Sequence, residues 1–114
     1  MSSPQVELAP INSIPVLHIR GDMRLDLADL ERALNRLAAG RPPIVVIDLA
    51  GVPFISSLGM GLLNTFRRGL ASHGGITRLA APQPEVLKAL TLCKLTALFE
   101  THDTLASATS ATQA

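Results

Sequence analysis

Apolar positions along the chain change period several times, and each change predicts an element. Val6 to Leu8 and Ile14 to Ile19 read as a first pair of strands, joined by a turn at Pro10, Ile11, Asn12 and Ser13. Pro15 removes one backbone donor, which suits a strand start or an edge, and the second strand stops at Gly21 and Asp22. From Leu30 the spacing turns helical, with Leu30, Ala33, Leu34, Leu37 and Ala38 on one stripe. Asp26 is the expected N-cap of this helix, and Gly40 with Pro42 and Pro43 is its stop. Glu31, Arg32 and Arg36 then face water.

Ile44 to Leu49 is the clearest strand, apolar on both faces apart from Asp48, as a central strand covered on both sides must be. Gly51 to Ile55 lead out of it into Ser56 and Ser57, after which Leu62, Leu63, Phe66 and Leu70 recur at helical spacing until His73, Gly74 and Gly75. Ile76 to Ala80 is a further strand. Pro82 and Pro84 precede a third helix, whose apolar positions run through Val86, Leu87, Leu90 and Cys93 to Leu98. A last short strand is expected at Leu98 to Thr101. A final helix through Leu105, Ala106 and Ala108 follows, with Asp103 as its cap. Strands alternating with helices at short spacing define an α/β class. The expectation is one domain over residues 1–106, with a mixed, largely parallel-centred sheet of four to five strands packed with about four helices. The Ser/Thr/Ala-rich residues 107–114 are expected to be a flexible tail.

Composition narrows the function. With 114 residues the chain fits one domain and needs no staples to build a core. Aromatics are only 3%, with no Trp or Tyr, so that core is aliphatic. A formal charge of +1 without a basic stripe or stacking aromatics argues against nucleic-acid binding. Cys93 is the single cysteine, which excludes an internal disulfide, suits a reducing compartment, and reads as a small core residue. The N-terminal residues lack a secretory signal pattern, and no apolar run is long enough to span a bilayer; a soluble cytoplasmic protein without membrane insertion is expected. His18, His73 and His102 share no metal-ligand spacing, so neither metal nor cofactor is assigned. Asp22, Asp26, Asp29 and Asp48 read as turn, cap and strand-end charges, with a second reading for Asp48 in the surroundings of Ser57.

Ser56 and Ser57 sit where a strand exit opens a helix. The first N–H groups of a helix have no internal partner, and the macrodipole is positive there. A serine at that place serves as a cap, and a phosphate added to it meets N–H donors. From local physics alone, simple capping explains both serines. A nucleophile elbow needs Gly two residues before the serine, and Ile55 stands there instead. A Walker-type phosphate loop needs a lysine that the segment lacks. No set of nucleophile, base and oxyanion donor converges, so no catalytic residue is assigned and the chain is not expected to be an enzyme.

Residues 44–63, IVVIDLAGVPFISSLGMGLL, resemble the signature of the STAS family, the anti-sigma factor antagonists. That signature is an apolar strand, an exit of the form D-L-[SA]-G-V-x-F/Y, and [DS]-S-x-G-[LM] opening a helix. The strand end IRGDM at 19–23 and the turn at Gly74 and Gly75 also fit, and the resemblance spans roughly Val6 to Ala108. It implies phosphorylation of Ser57, with Ser56 as the alternative, by an anti-sigma factor of serine protein kinase type and reversal by a PP2C-type phosphatase. The unmodified form then sequesters the anti-sigma factor. Asp22, Arg24, Asp48, Ser56, Ser57, Leu58, Gly59 and Met60 are the expected partner-binding residues. Arg24, Ser56 and Leu58 depart from the commonest family residues and motivate a second reading, a constitutive adaptor of a lipid-transport or stressosome-like assembly.

Overall fold

The computed structural model describes residues 3–110. Strand β1 (Gln5–Leu8) pairs antiparallel with β2 (Val16–Arg20), placing Gln5 opposite Arg20 and Leu8 opposite Leu17. Strands β3 (Ile44–Gly51), β4 (Ile76–Ala80) and β5 (Glu100–His102) follow in parallel, so the spatial order of the five-stranded mixed sheet is its sequence order. Helices α1 (Ala28–Ala39), α2 (Ser57–Ala71) and α3 (Pro84–Leu92) supply the crossovers, and a short α4 (Leu105–Thr109) closes the chain.

Alternation along the strands sends successive side chains to opposite faces. Leu17, Ile19, Val45, Ile47, Leu49 and Leu79 face the helices and form one aliphatic core with Leu30 and Leu34 of α1, Leu63, Phe66 and Leu70 of α2, and Val86 and Leu90 of α3. The opposite face carries Val16, Val46 and Ala80, covered by Ala108 of α4 and by Ile11, Ile14 and Leu105. Arg78 ties this second layer down: its Nε donates to Glu100 Oε1 at 2.8 Å and its Nη1 to the Ala108 carbonyl at 3.0 Å. Asn12 adds a bond from Nδ2 to the Thr109 carbonyl at 2.9 Å.

Several boundaries differ from the sequence expectation, each for a local reason. Ile14 belongs to the turn, bridging Ile11, because Asn12 and Ser13 both adopt positive φ; β2 therefore starts at Val16. Leu27 takes the N-cap place of α1 in lieu of Asp26; its hydrocarbon side chain offers no cap bond and is buried at the helix entry. Helix α3 ends at Leu92, where Lys94 turns left-handed (φ 61°) into a 3-10 turn over Leu95–Ala97. That reversal delivers Leu95 and Phe99 to the core and leaves Leu98 and Cys93 exposed, so Cys93 is a surface thiol and not a core residue. The last strand starts two residues later than expected and ends one residue later, at His102. Thr104, rather than Asp103, caps α4 by accepting from the Ser107 N–H at 3.0 Å. Ser107 to Thr109 continue in this helix, with Ala108 and Thr109 buried, in place of a tail starting at 107; residues 111–114 of that segment lie outside the described residues.

One buried polar atom gives a stability prediction. Thr77 is 3% exposed, and its Oγ1 has no hydrogen-bond partner among the described residues. A desolvated hydroxyl without a partner costs about 1–3 kcal/mol. Thr77→Val keeps the shape and removes that cost, so urea unfolding is expected to show a gain of roughly 1 kcal/mol. A loss would show that the hydroxyl is satisfied after all.

Candidate functional site

The loops leaving β2 and β3 are stitched together by backbone bonds. Met23 N–H donates to the Phe54 carbonyl at 2.8 Å, and Ser56 N–H donates to the Met23 carbonyl at 2.8 Å. Ser56 Oγ donates to the Arg24 carbonyl at 2.7 Å and accepts from the Gly59 N–H at 3.1 Å. Ser56 is therefore the N-cap of α2, and its hydroxyl is committed in both directions.

Ser57 occupies the next position, the first residue of the helix. It is exposed, and its hydroxyl makes no hydrogen bond among the described residues. Helix geometry leaves the first N–H groups beside it without intrahelical partners. The two serines thus divide the work: one holds the loops, the other is presented to solvent.

Glycine at 59 has a steric cause. A Cβ there would stand 3.0 Å from Ile55 Cγ1, 3.2 Å from Met23 Cβ and 3.2 Å from the Met23 carbonyl. Gly61 differs, being exposed, and apart from the backbone of its own helix turn nothing among the described residues lies within 4 Å of the place a Cβ would take. Leu58 is 52% exposed, whereas Met60 is buried beneath the same turn. Of the residues expected at a partner surface, Gly59 and Met60 therefore support the turn from inside, and Ser57 and Leu58 stand on its outer side.

Asp22 and Arg24 belong to the same place. Arg24 Nε lies 2.9 Å from Asp22 Oδ2, and its guanidinium stacks 4.0 Å above the centroid of the Phe54 ring. Asp48 does not join them. It alternates with the inward-facing Ile47 and Leu49, so it projects from the sheet face opposite α2. There its Oδ2 lies 2.7 Å from His18 Nδ1, and its Oδ1 accepts from the Ala50 N–H at 3.0 Å. His18 Nε2 in turn lies 3.3 Å from the Ala9 carbonyl, making the pair a tie between β3, β2 and the end of the first hairpin.

Sequence reasoning overlooked an apolar margin to this site. Leu25 is 82% and Leu92 75% exposed, and Phe54 lines a groove of about 240 Å³ with Ile55, Glu85, Lys88, Ala89 and Leu92. The available signal was Leu25 and Phe54, large apolar residues in loops and outside any strand or helix period. Among the described residues no cluster of three or more potential metal ligands occurs, and no helix is long and apolar enough to cross a membrane.

The sequence and the fold together match a known class. Residues 5–108 match the STAS domain, and the chain belongs to that family. It is 33% identical over 90 residues to the anti-sigma-F factor antagonist RsfB of Mycobacterium tuberculosis, a match covering 68% of this chain and 74% of that protein. Its fold is similar to that of an anti-sigma factor antagonist from Mycobacterium paratuberculosis, with TM-score 0.84, 27% identity, and coverage of 93% of this chain and 91% of the other. The Bacillus cell fate determinant SpoIIAA, solved in its phosphorylated form, shares the fold at TM-score 0.65 and 19% identity, covering 87% of this chain and 90% of that one.

Proposed function

We propose that this protein is an anti-sigma factor antagonist whose binding of an anti-sigma factor is switched by phosphorylation of Ser57. The observation carrying this reading is the contrast between the two serines: Ser56 is locked by two hydrogen bonds, and Ser57 is free and exposed at the start of α2. Support comes from the relatives, which are named as anti-sigma factor antagonists. The docking surface is Ser57 and Leu58 with Asp22, Arg24 and the apolar margin of Leu25, Phe54 and Leu92. The partner is an anti-sigma factor of serine protein kinase type, which modifies the surface it docks on, and a PP2C-type phosphatase reverses the change. No catalytic step is assigned to this chain; it acts by occupying its partner.

The test uses wild type, Ser57→Ala and Ser57→Asp as parallel baits in lysate, with bound proteins identified by mass spectrometry. Wild type and Ser57→Ala are expected to retain an ATP-binding serine kinase that Ser57→Asp loses. Equal retention of one partner by all three would instead identify a constitutive adaptor in which phosphorylation plays no part.

A pair of glycines checks the docking face independently. Gly61 and Gly69 both lie in α2, and neither has an obstacle to a Cβ. Gly61→Ala and Gly69→Ala are each expected to raise stability by up to about 1 kcal/mol. Only Gly61→Ala, one turn from Ser57, is expected to weaken partner binding. Equal affinity in both variants would remove the first turn of α2 from the interface.

A further inference from the structure

A phosphate on Ser57 would bring close to two negative charges, and the two stitched loops contain a single cation to meet them. Across residues 21–27 and 52–56 only Arg24 is basic, and the first turn of α2 has neither acid nor base. Its backbone is fixed beside the site, because the Arg24 carbonyl accepts from Ser56 Oγ at 2.7 Å, one residue from Ser57. Its side chain is 58% exposed and, among the described residues, is held by two contacts, Asp22 Oδ2 at 2.9 Å and the Phe54 ring at 4.0 Å. Exposed ion pairs and exposed cation–ring contacts are both weak and screened by water. A phosphoserine offers three acceptor oxygens and close to two negative charges, and guanidinium binds such groups in bidentate fashion. The phosphate is thus a stronger partner than either contact that now holds Arg24.

We propose that Arg24 is the internal receptor for a phosphate on Ser57, and that receiving it draws the guanidinium off Asp22 and off the Phe54 ring. Modification then does two things to the docking surface. It adds charge at residue 57, and it rearranges what the partner meets, freeing the Asp22 carboxylate and uncovering one face of Phe54. This inference rests on Ser57 being the modified residue, and it assigns to Arg24 a role in the switched state rather than in partner binding alone.

The test installs phosphoserine at position 57 during translation, so that no kinase is involved, and compares the wild-type background with Arg24→Gln. Because Arg24 is exposed, the variant is expected to fold normally. Phosphorus NMR is expected to place the second ionisation of the phosphate lower in the wild-type background than in Arg24→Gln, by roughly half a unit or more. Proton NMR is expected to show the Arg24 δ-methylene losing its ring-current shift from Phe54 on phosphorylation. Coincident phosphate titrations in the two backgrounds would overturn the proposal. Failure of this chain to bind or be modified by a kinase would count against the functional reading above, and would leave the result of this comparison unaffected.

Discussion

Ser57→Asp is expected to lower affinity for the anti-sigma factor a hundredfold or more while leaving the fold and its melting temperature essentially unchanged. The two halves of this expectation have different origins. Within the domain, an acidic group at the first position of α2 faces unpartnered N–H groups and the positive end of the helix, where it is neutral to stabilising by about 0.3–1 kcal/mol. Across an interface, the same carboxylate must leave water, and the effective cost for an unpaired ion is several kcal/mol. Each 1.4 kcal/mol is tenfold in affinity, so even about 3 kcal/mol suffices for a hundredfold loss. Calorimetric titration of the purified pair measures the first half and thermal unfolding the second. Binding within threefold of wild type would mean that Ser57 stays solvated in the complex and is no switch.

Gly59→Val is expected to destabilise the domain by about 3 kcal/mol, the upper part of the usual range for overpacking. Two of the three atoms crowding the new side chain, Met23 Cβ and the Met23 carbonyl, sit at the point where the two loops are stitched. That carbonyl also accepts from the Ser56 N–H, so it cannot retreat without weakening the N-cap region of α2. Small domains have only about 5–15 kcal/mol to lose. The loss is measurable by urea unfolding and is expected to be accompanied by weaker partner binding, since the turn carrying Ser57 moves with its support. Gly61→Ala on the same helix changes stability in the opposite direction, which separates steric need from helix propensity. A Gly59→Val protein as stable as wild type would show that the loops can part at little cost.

Local patterns revealed the elements that obey one period throughout. The apolar run from Ile44 to Leu49 and the stripe from Leu30 to Ala38 are central strand and core-facing helix. The break into Ser56 and Ser57 also appears at its expected place as the start of α2. What escaped depends on long-range packing. Cys93 continues the apolar spacing of α3, yet a left-handed Lys94 reverses the chain and hands the core position to Leu95. Asp48 shares a strand end with the exit toward Ser57, but strand alternation assigns it to the far face and to His18. The composition of residues 107–110 suggests fraying, while Arg78, distant in sequence, binds the Ala108 carbonyl and holds that helix on the sheet. The division between Ser56 and Ser57 rested on the Arg24 carbonyl, a partner 32 positions away that no local pattern announces.

The coincidence of spatial and sequence order in the sheet bears on how the molecule is made. As the chain leaves a ribosome, each new strand finds its neighbour already present and adds to the outer edge, with no strand inserted between two earlier ones. The stitched loops draw only on residues 23 to 59, so every residue they use leaves the ribosome ahead of α3 and of the closing helix α4. The second half, which emerges last, brings Val86 and Leu90 to complete the core beneath that surface.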